Sequence, residues 1–240
     1  MKKINKSTTL ACFSPPVMIA TFVIEIGLVL TLLYRRKHNR VVQLTVLLIL
    51  FLSVFQLAEY GVCEKVGFHG DAWARIGFAS ITILPPLGMH LMYVIAQRKS
   101  RLLVPATYLA AMAWIVIFLF FNIMEDQVCQ GNYVIFHIND PIESYYYWFY
   151  NIALGVAMIM GLLFQTTAKS KKTKSALFYM VVGYLSFIVP SVIVRIIATF
   201  NENGSSALPS IMCGFAVVLA LILVFKVIPN TTQPNKNRKK

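Results

Sequence analysis

Seven apolar runs, each close to 20 residues long and separated by short polar connections, set the rhythm of this sequence. A bilayer core of about 30 Å needs roughly 20 helical residues to cross it, and the runs extend over Pro16–Tyr34, Val41–Tyr60, Ala74–Gln97, Leu102–Ile123, Tyr145–Thr167, Ala176–Phe200 and Ala207–Ile228. A backbone without water must satisfy its own polar groups, so each run is a helix or a barrel strand. Barrel strands alternate polar and apolar residues. Val46-Leu47-Leu48-Ile49-Leu50-Phe51-Leu52 does not alternate, and the pattern predicts helices. The expected fold class is all-α: a polytopic membrane protein with seven transmembrane helices spanning residues 16–228. An extracytoplasmic segment, residues 1–15, precedes them and a basic cytoplasmic tail, residues 229–240, follows.

Positive charge sets the orientation, because Lys- and Arg-rich loops stay in the cytoplasm. Arg35, Arg36, Lys37 and Arg40 follow the first run; Arg98, Lys99 and Arg101 follow the third. Lys169, Lys171, Lys172 and Lys174 follow the fifth, and Lys236, Arg238, Lys239 and Lys240 close the tail. The alternate connections carry Glu64, Asp71, Glu125, Asp126, Asp140, Glu143 and Glu202, with Lys65 and Arg75 as their basic residues. The N-terminus is therefore expected outside and the C-terminus in the cytoplasm, in a multi-pass cell-membrane protein. Lys2, Lys3 and Lys6 resemble the basic start of a secretory signal, but cleavage there would place Arg35 outside, against the charge rule. Tyr145, Tyr146, Tyr147, Trp148 and Tyr150, with Trp73, mark the outer interface, where amphipathic rings settle among headgroups.

Composition agrees with this frame. Hydrophobic residues make up 58% and charged residues 13%, more apolar side chain than a soluble interior of this length can hide. The net charge of +13 would point to nucleic acid on a soluble surface. Here the basic residues sit between apolar runs, which points to the anionic inner leaflet of the lipid bilayer and away from nucleic acid.

Cys63 and Cys129 both fall on the outer side, where a disulfide can form; Cys12 is a competing partner, and Cys213 reads as a buried apolar residue. The longest connection, Met124 to Ser144, carries the apolar run Tyr133-Val134-Ile135-Phe136. It is either a short strand or cover folded over the bundle, or a loose connector.

Polar residues inside the runs stand out, because a charge near the bilayer centre costs roughly 2.5–3.5 kcal/mol on insertion scales. Glu25 lies at the midpoint of the first run and is the best single candidate, against the blander reading of a protonated carboxyl bonded to a neighbouring helix. Gln56, Glu59 and Tyr60 occupy the outer end of the second run and Arg195 that of the sixth, so an Arg195–Glu59 ion pair, a shared ligand site, or simple snorkelling of Arg195 are the alternatives. His90 follows Pro85-Pro86, which with Pro190 are expected hinges. The four histidines fall in four segments without ligand spacing, and no phosphate loop, nucleophile elbow or paired intramembrane carboxylates occur. No catalytic residue, metal or cofactor is expected, and the chain is not read as an enzyme.

Trp73-Ala74-Arg75-Ile76-Gly77 leading to Leu84-Pro85-Pro86, Val189-Pro190-Ser191, Leu208-Pro209-Ser210 and Phe225-Lys226-Val227-Ile228-Pro229 resemble the seven-helix N-terminal membrane sensor region of bacterial histidine kinases. That resemblance implies a bundle that detects a signal and passes a helix movement onward. The 240 residues hold no phosphoacceptor helix or ATP-binding domain, so it implies a sensor acting through a separate signalling partner; the outer polar cluster Gln56, Glu59, Tyr60 and Arg195 is the expected site of an unknown small-molecule ligand. A small transporter or channel using Glu25 as a proton or cation site, and a membrane scaffold or assembly subunit, are the alternatives.

Overall fold

The computed structural model describes residues 15–35, 39–124, 127–129, 134–135, 138–139, 141–198, 215 and 217–231. The segment 1–14, most of the tail and residues 199–214, which include Cys12 and Cys213, lie outside the described residues. Six helices are long and apolar enough, by length and composition, to cross a membrane.

Helix α1 (Pro15–Arg35) starts on two prolines, whose missing N–H groups cost nothing in a first turn. Helix α2 (Arg40–Glu64) is capped by the Asn39 side chain, which accepts from the Val42 N–H, and it stops at Lys65 in a left-handed conformation. The third apolar run is not one continuous helix. It forms α3 (Gly70–Thr82) and α4 (Leu84–Ile95), separated at Ile83 and restarted by Pro85 and Pro86 in the first turn of α4. The expected hinge is thus a break two residues ahead of the prolines, which have no N–H to donate to the carbonyls of Ile81 and Thr82 and so interrupt the helical hydrogen-bond ladder. Helix α5 (Leu103–Phe120), α6 (Ile142–Thr167) and α7 (Lys171–Ala198) follow, and α7 runs through Pro190 without ending. Helix α8 (Val217–Thr231) contains a π-helical turn, Leu223–Val227. It covers part of the seventh expected run, whose residues 207–214 lie outside the described residues.

Packing is organised around two helices. Helix α2 contacts α1, α3 and α4, while α4 contacts α2, α5, α6 and α7. Glycines permit the closest approaches: a Cβ at Gly61 would overlap the Trp73 ring, one at Gly77 would press on Ala58 and Phe55, and one at Gly88 would collide with the Tyr184 hydroxyl. Phe78, Trp114, Phe118 and Tyr146 form a ring cluster between α3, α5 and α6, with Tyr146 and Thr82 hydroxyls 3.0 Å apart. The outward faces of α1, α5 and α6 leave Val23, Leu30, Leu109, Phe120, Trp148 and Ile152 exposed, as lipid-facing surfaces would.

The two ends of the bundle differ in chemistry. At one, Cys63 of α2 is disulfide-bonded to Cys129, fastening a two-stranded antiparallel hairpin, β1 (Val128–Cys129) and β2 (Val134–Ile135), with a further bridge between Met124 and Ile138. Val134 and Ile138 are buried, so the apolar part of this connection folds over the helices. Arg75 also works here: it pairs with Asp71 at 3.4 Å and donates to the carbonyls of Phe118 and Phe121 and to Asn122 Oδ1, closing the C-terminus of α5. At the opposite end Arg98 donates to Thr167 Oγ1 and lies over the Phe164 ring, joining the basic connection after α4 to the end of α6.

Two outcomes follow from this packing. Replacing Cys63 and Cys129 with serine lowers stability by about 2 kcal/mol, the low end for a disulfide because the enclosed helices stay ordered when the bundle opens; detergent-solubilised thermal unfolding with and without reductant checks it. Gly88→Ala costs about 1–3 kcal/mol by overpacking against Tyr184, and a second change, Tyr184→Leu, recovers part of that loss in the same assay.

Candidate functional site

The polar site begins with register. Thr21 on α1 and Gln56 on α2 meet side chain to side chain, Thr21 Oγ1 lying 3.1 Å from Gln56 Oε1 and 2.8 Å from its own helix's Met18 carbonyl. Glu25 sits one turn beyond Thr21 on the same face of α1, and Glu59 about one turn beyond Gln56 on α2. The helices are antiparallel, and every Cα–Cβ bond tilts toward its helix N-terminus. The Glu25 and Glu59 side chains therefore tip toward each other, and each lies within reach of the other's charge.

All four side chains are withdrawn from the surface: Glu25 is 0%, Glu59 1%, Gln56 2% and Thr21 8% exposed. Most buried hydroxyls in this bundle return to their own helix, Thr45 to Val41, Ser53 to Leu50, Ser80 to Ile76 and Thr82 to Phe78. Glu25 and Gln56 depart from that pattern. Among the described residues neither carboxyl oxygen of Glu25 has a hydrogen-bond partner, and neither does Gln56 Nε2. Leaving such groups unanswered costs about 1–3 kcal/mol each, more if charged.

The same stretch of α2 has a second, apolar role. Phe55, Ala58 and Gly61 alternate with Gln56 and Glu59 around the helix and meet Gly77 and Trp73 of α3 at the close approaches already described. One face of α2 holds the polar site and the other is pressed against the span broken at Ile83.

Other sequence-derived candidates fall elsewhere. Tyr60 is half-buried against the apolar core. Arg195 lies on α7 one turn from its described end, and its side chain is outside the described residues. His90 Nδ1 lies 3.3 Å from the Tyr108 hydroxyl, linking α4 to α5 away from the polar site. Pro85 and Pro86 are buried at the α4 start, and Pro190 sits within α7. Sequence reading missed Thr21, whose neighbours give no charge signal, and missed that Glu25 and the Gln56–Glu59 pair share one locus. Among the described residues no group of three or more His, Cys, Asp or Glu side chains could hold a metal ion. No family model matches the chain, and no curated protein matches it.

A group kept for function at a cost in stability can be recognised by removal. Glu25→Leu is expected to raise the thermal stability of the purified protein by about 1–3 kcal/mol, because it deletes an unanswered buried carboxyl and adds apolar contact; a loss of similar size would mean that Glu25 is a structural partner.

Proposed function

We propose that this chain is a multi-pass cell-membrane sensor, receptor-like in action, in which ligand binding at Thr21, Glu25, Gln56 and Glu59 moves helices and a partner reads the movement. The observation that carries it is the buried, unanswered Glu25 carboxyl facing an α2 segment that is locked on its far side to α3. The N-terminus lies outside and the C-terminus in the cytoplasm, following the distribution of Lys and Arg. The disulfide end then faces the oxidising side, and Arg98, Lys99, Arg101, Lys169, Lys171, Lys172 and Lys174 lie at the anionic inner leaflet, where a signalling partner docks. The signal is an external or membrane-dissolved small molecule or ion.

Packed helices respond by discrete shifts, since a tight interface has no slack for gradual deformation. A ligand that answers Glu25 and Gln56 draws α1 and α2 together. The Gly61–Trp73 and Gly77–Ala58 contacts carry the displacement of α2 into α3. The break at Ile83 lets α3 tilt against α4, and α4 touches α6 and α7, whose ends form the basic face. Ligand and movement are linked through differential affinity for the two arrangements.

Spin labels at positions 71 and 99, at opposite ends of the broken span, test this in nanodiscs with Cys12 and Cys213 replaced by alanine. Glu25→Gln, which leaves the site neutral and unable to exchange its proton, is expected to shift the distance distribution; Glu25→Gln combined with Pro85→Ala and Pro86→Ala is not. Identical distributions in all three proteins would refute coupling of the site to the hinge. A transport role for the same carboxyl is separated by flux: Glu25-dependent ion movement into sealed liposomes would replace the sensor reading.

A further inference from the structure

The chemistry of the α1–α2 site points to its ligand, and we propose that Glu25 and Gln56 bind a small monovalent inorganic cation in exchange for a proton. The proposal rests on the sensor reading for the site's purpose, but its chemistry stands on the side chains themselves.

Hydrogen-bond arithmetic comes first. Thr21 has a single hydroxyl proton and two acceptors in range, the Met18 carbonyl at 2.8 Å and Gln56 Oε1 at 3.1 Å. With the proton given to Met18, the Gln56 amide does better rotated, its NH₂ donating to Thr21 Oγ1; the two amide orientations differ only in which atom is named oxygen. Rotation turns the atom that lacked a partner, the present Nε2, into a buried carbonyl oxygen open to a further ligand. The site then offers the two Glu25 oxygens and one amide oxygen, hard ligands suited to an alkali-type cation.

Charge fixes the valence. A lone carboxylate buried at this depth is expensive, so Glu25 is occupied by one of two neutralising partners. In the proton-loaded state it is a carboxylic acid. On binding the cation, the O–H bond breaks, its electron pair stays on the carboxylate, the proton leaves to water and the cation takes its place. Net charge is the same before and after, so the exchange avoids burying an uncompensated charge. A divalent ion that displaced the one Glu25 proton would add a net positive charge to the site, and among the described residues no group of three or more His, Cys, Asp or Glu side chains converges there to hold it. On α2, the element packed against α1, the titratable neighbour of Glu25 is Glu59. Arg40 and Glu64 lie at the ends of α2, and Tyr60 is a turn beyond Gln56.

The test uses the full chain in nanodiscs, with lithium, sodium, potassium or rubidium chloride against N-methyl-glucamine chloride at equal ionic strength. One inorganic cation raises the unfolding midpoint of the wild type and releases one proton per ion bound, measured with a pH indicator in weak buffer; lowering the pH weakens that cation's apparent affinity. Glu25→Gln loses the ion-specific shift and the proton release while remaining folded, whereas Glu25→Asp retains proton release with altered ion preference. Equal midpoints in all salts, or an ion effect that survives Glu25→Gln, overturns the proposal. The outcomes also separate the two readings: cation binding without a change in the label distances sinks the sensor and leaves the cation site. Glu25-dependent label shifts without cation binding do the reverse.

Discussion

Within a bundle this apolar, a polar side chain must be answered by another part of the same bundle, because lipid-facing surroundings offer no hydrogen bonds. Nearly every described polar group conforms. Hydroxyls of Thr45, Ser53, Ser80 and Thr82 fold back on their own helices, and Arg75 spends its guanidinium on the carbonyls that end α5. Glu25 and the Gln56 amide do not conform, and Gln56 meets Thr21, one turn from Glu25 on α1. Two departures at one place are more informative than either alone, since a single unanswered group costs stability without implying a purpose.

The position of that place within the packing gives it leverage. Helix α1 packs mainly on α2, and α2 is held on its other side by close, glycine-enabled contacts with α3. Downstream, α3 ends and α4 begins at Ile83, the one interruption in an otherwise continuous span of 26 residues. A rigid contact followed by a break is how a small change near one helix becomes a tilt of another. The disulfide from Cys63 to Cys129 and the Arg75 clasp fasten one end of the broken span, and the Arg98–Thr167 hydrogen bond joins its other end to α6.

Hydropathy alone located the helices well, because the length of an apolar run is set by the thickness to be crossed: the run Val41–Tyr60 became Arg40–Glu64, and Tyr145–Thr167 became Ile142–Thr167. Pro85-Pro86 announced a bend for the same local reason. Relative rotation was not legible. Helices such as α2 and α5 are apolar almost all round, so nothing in their sequence says which face meets which neighbour. Depth counting put Glu25 at mid-span and Gln56 with Glu59 near an end, as two sites. Only the antiparallel tilt of their side chains and the Thr21–Gln56 contact merge them. Arg75 read as one loop charge among several, and its engagement with residues more than forty positions away depends on packing that no local pattern encodes.

Infrared difference spectroscopy of the reconstituted protein reads the protonation of a single buried carboxyl directly. A protonated-carboxyl band that disappears when the site's ligand is supplied, and is absent in Glu25→Gln, is the expected result. A spectrum with no Glu25-dependent band under any ion or pH condition would show that this carboxyl never changes state, and would contradict its role as the working group of the bundle.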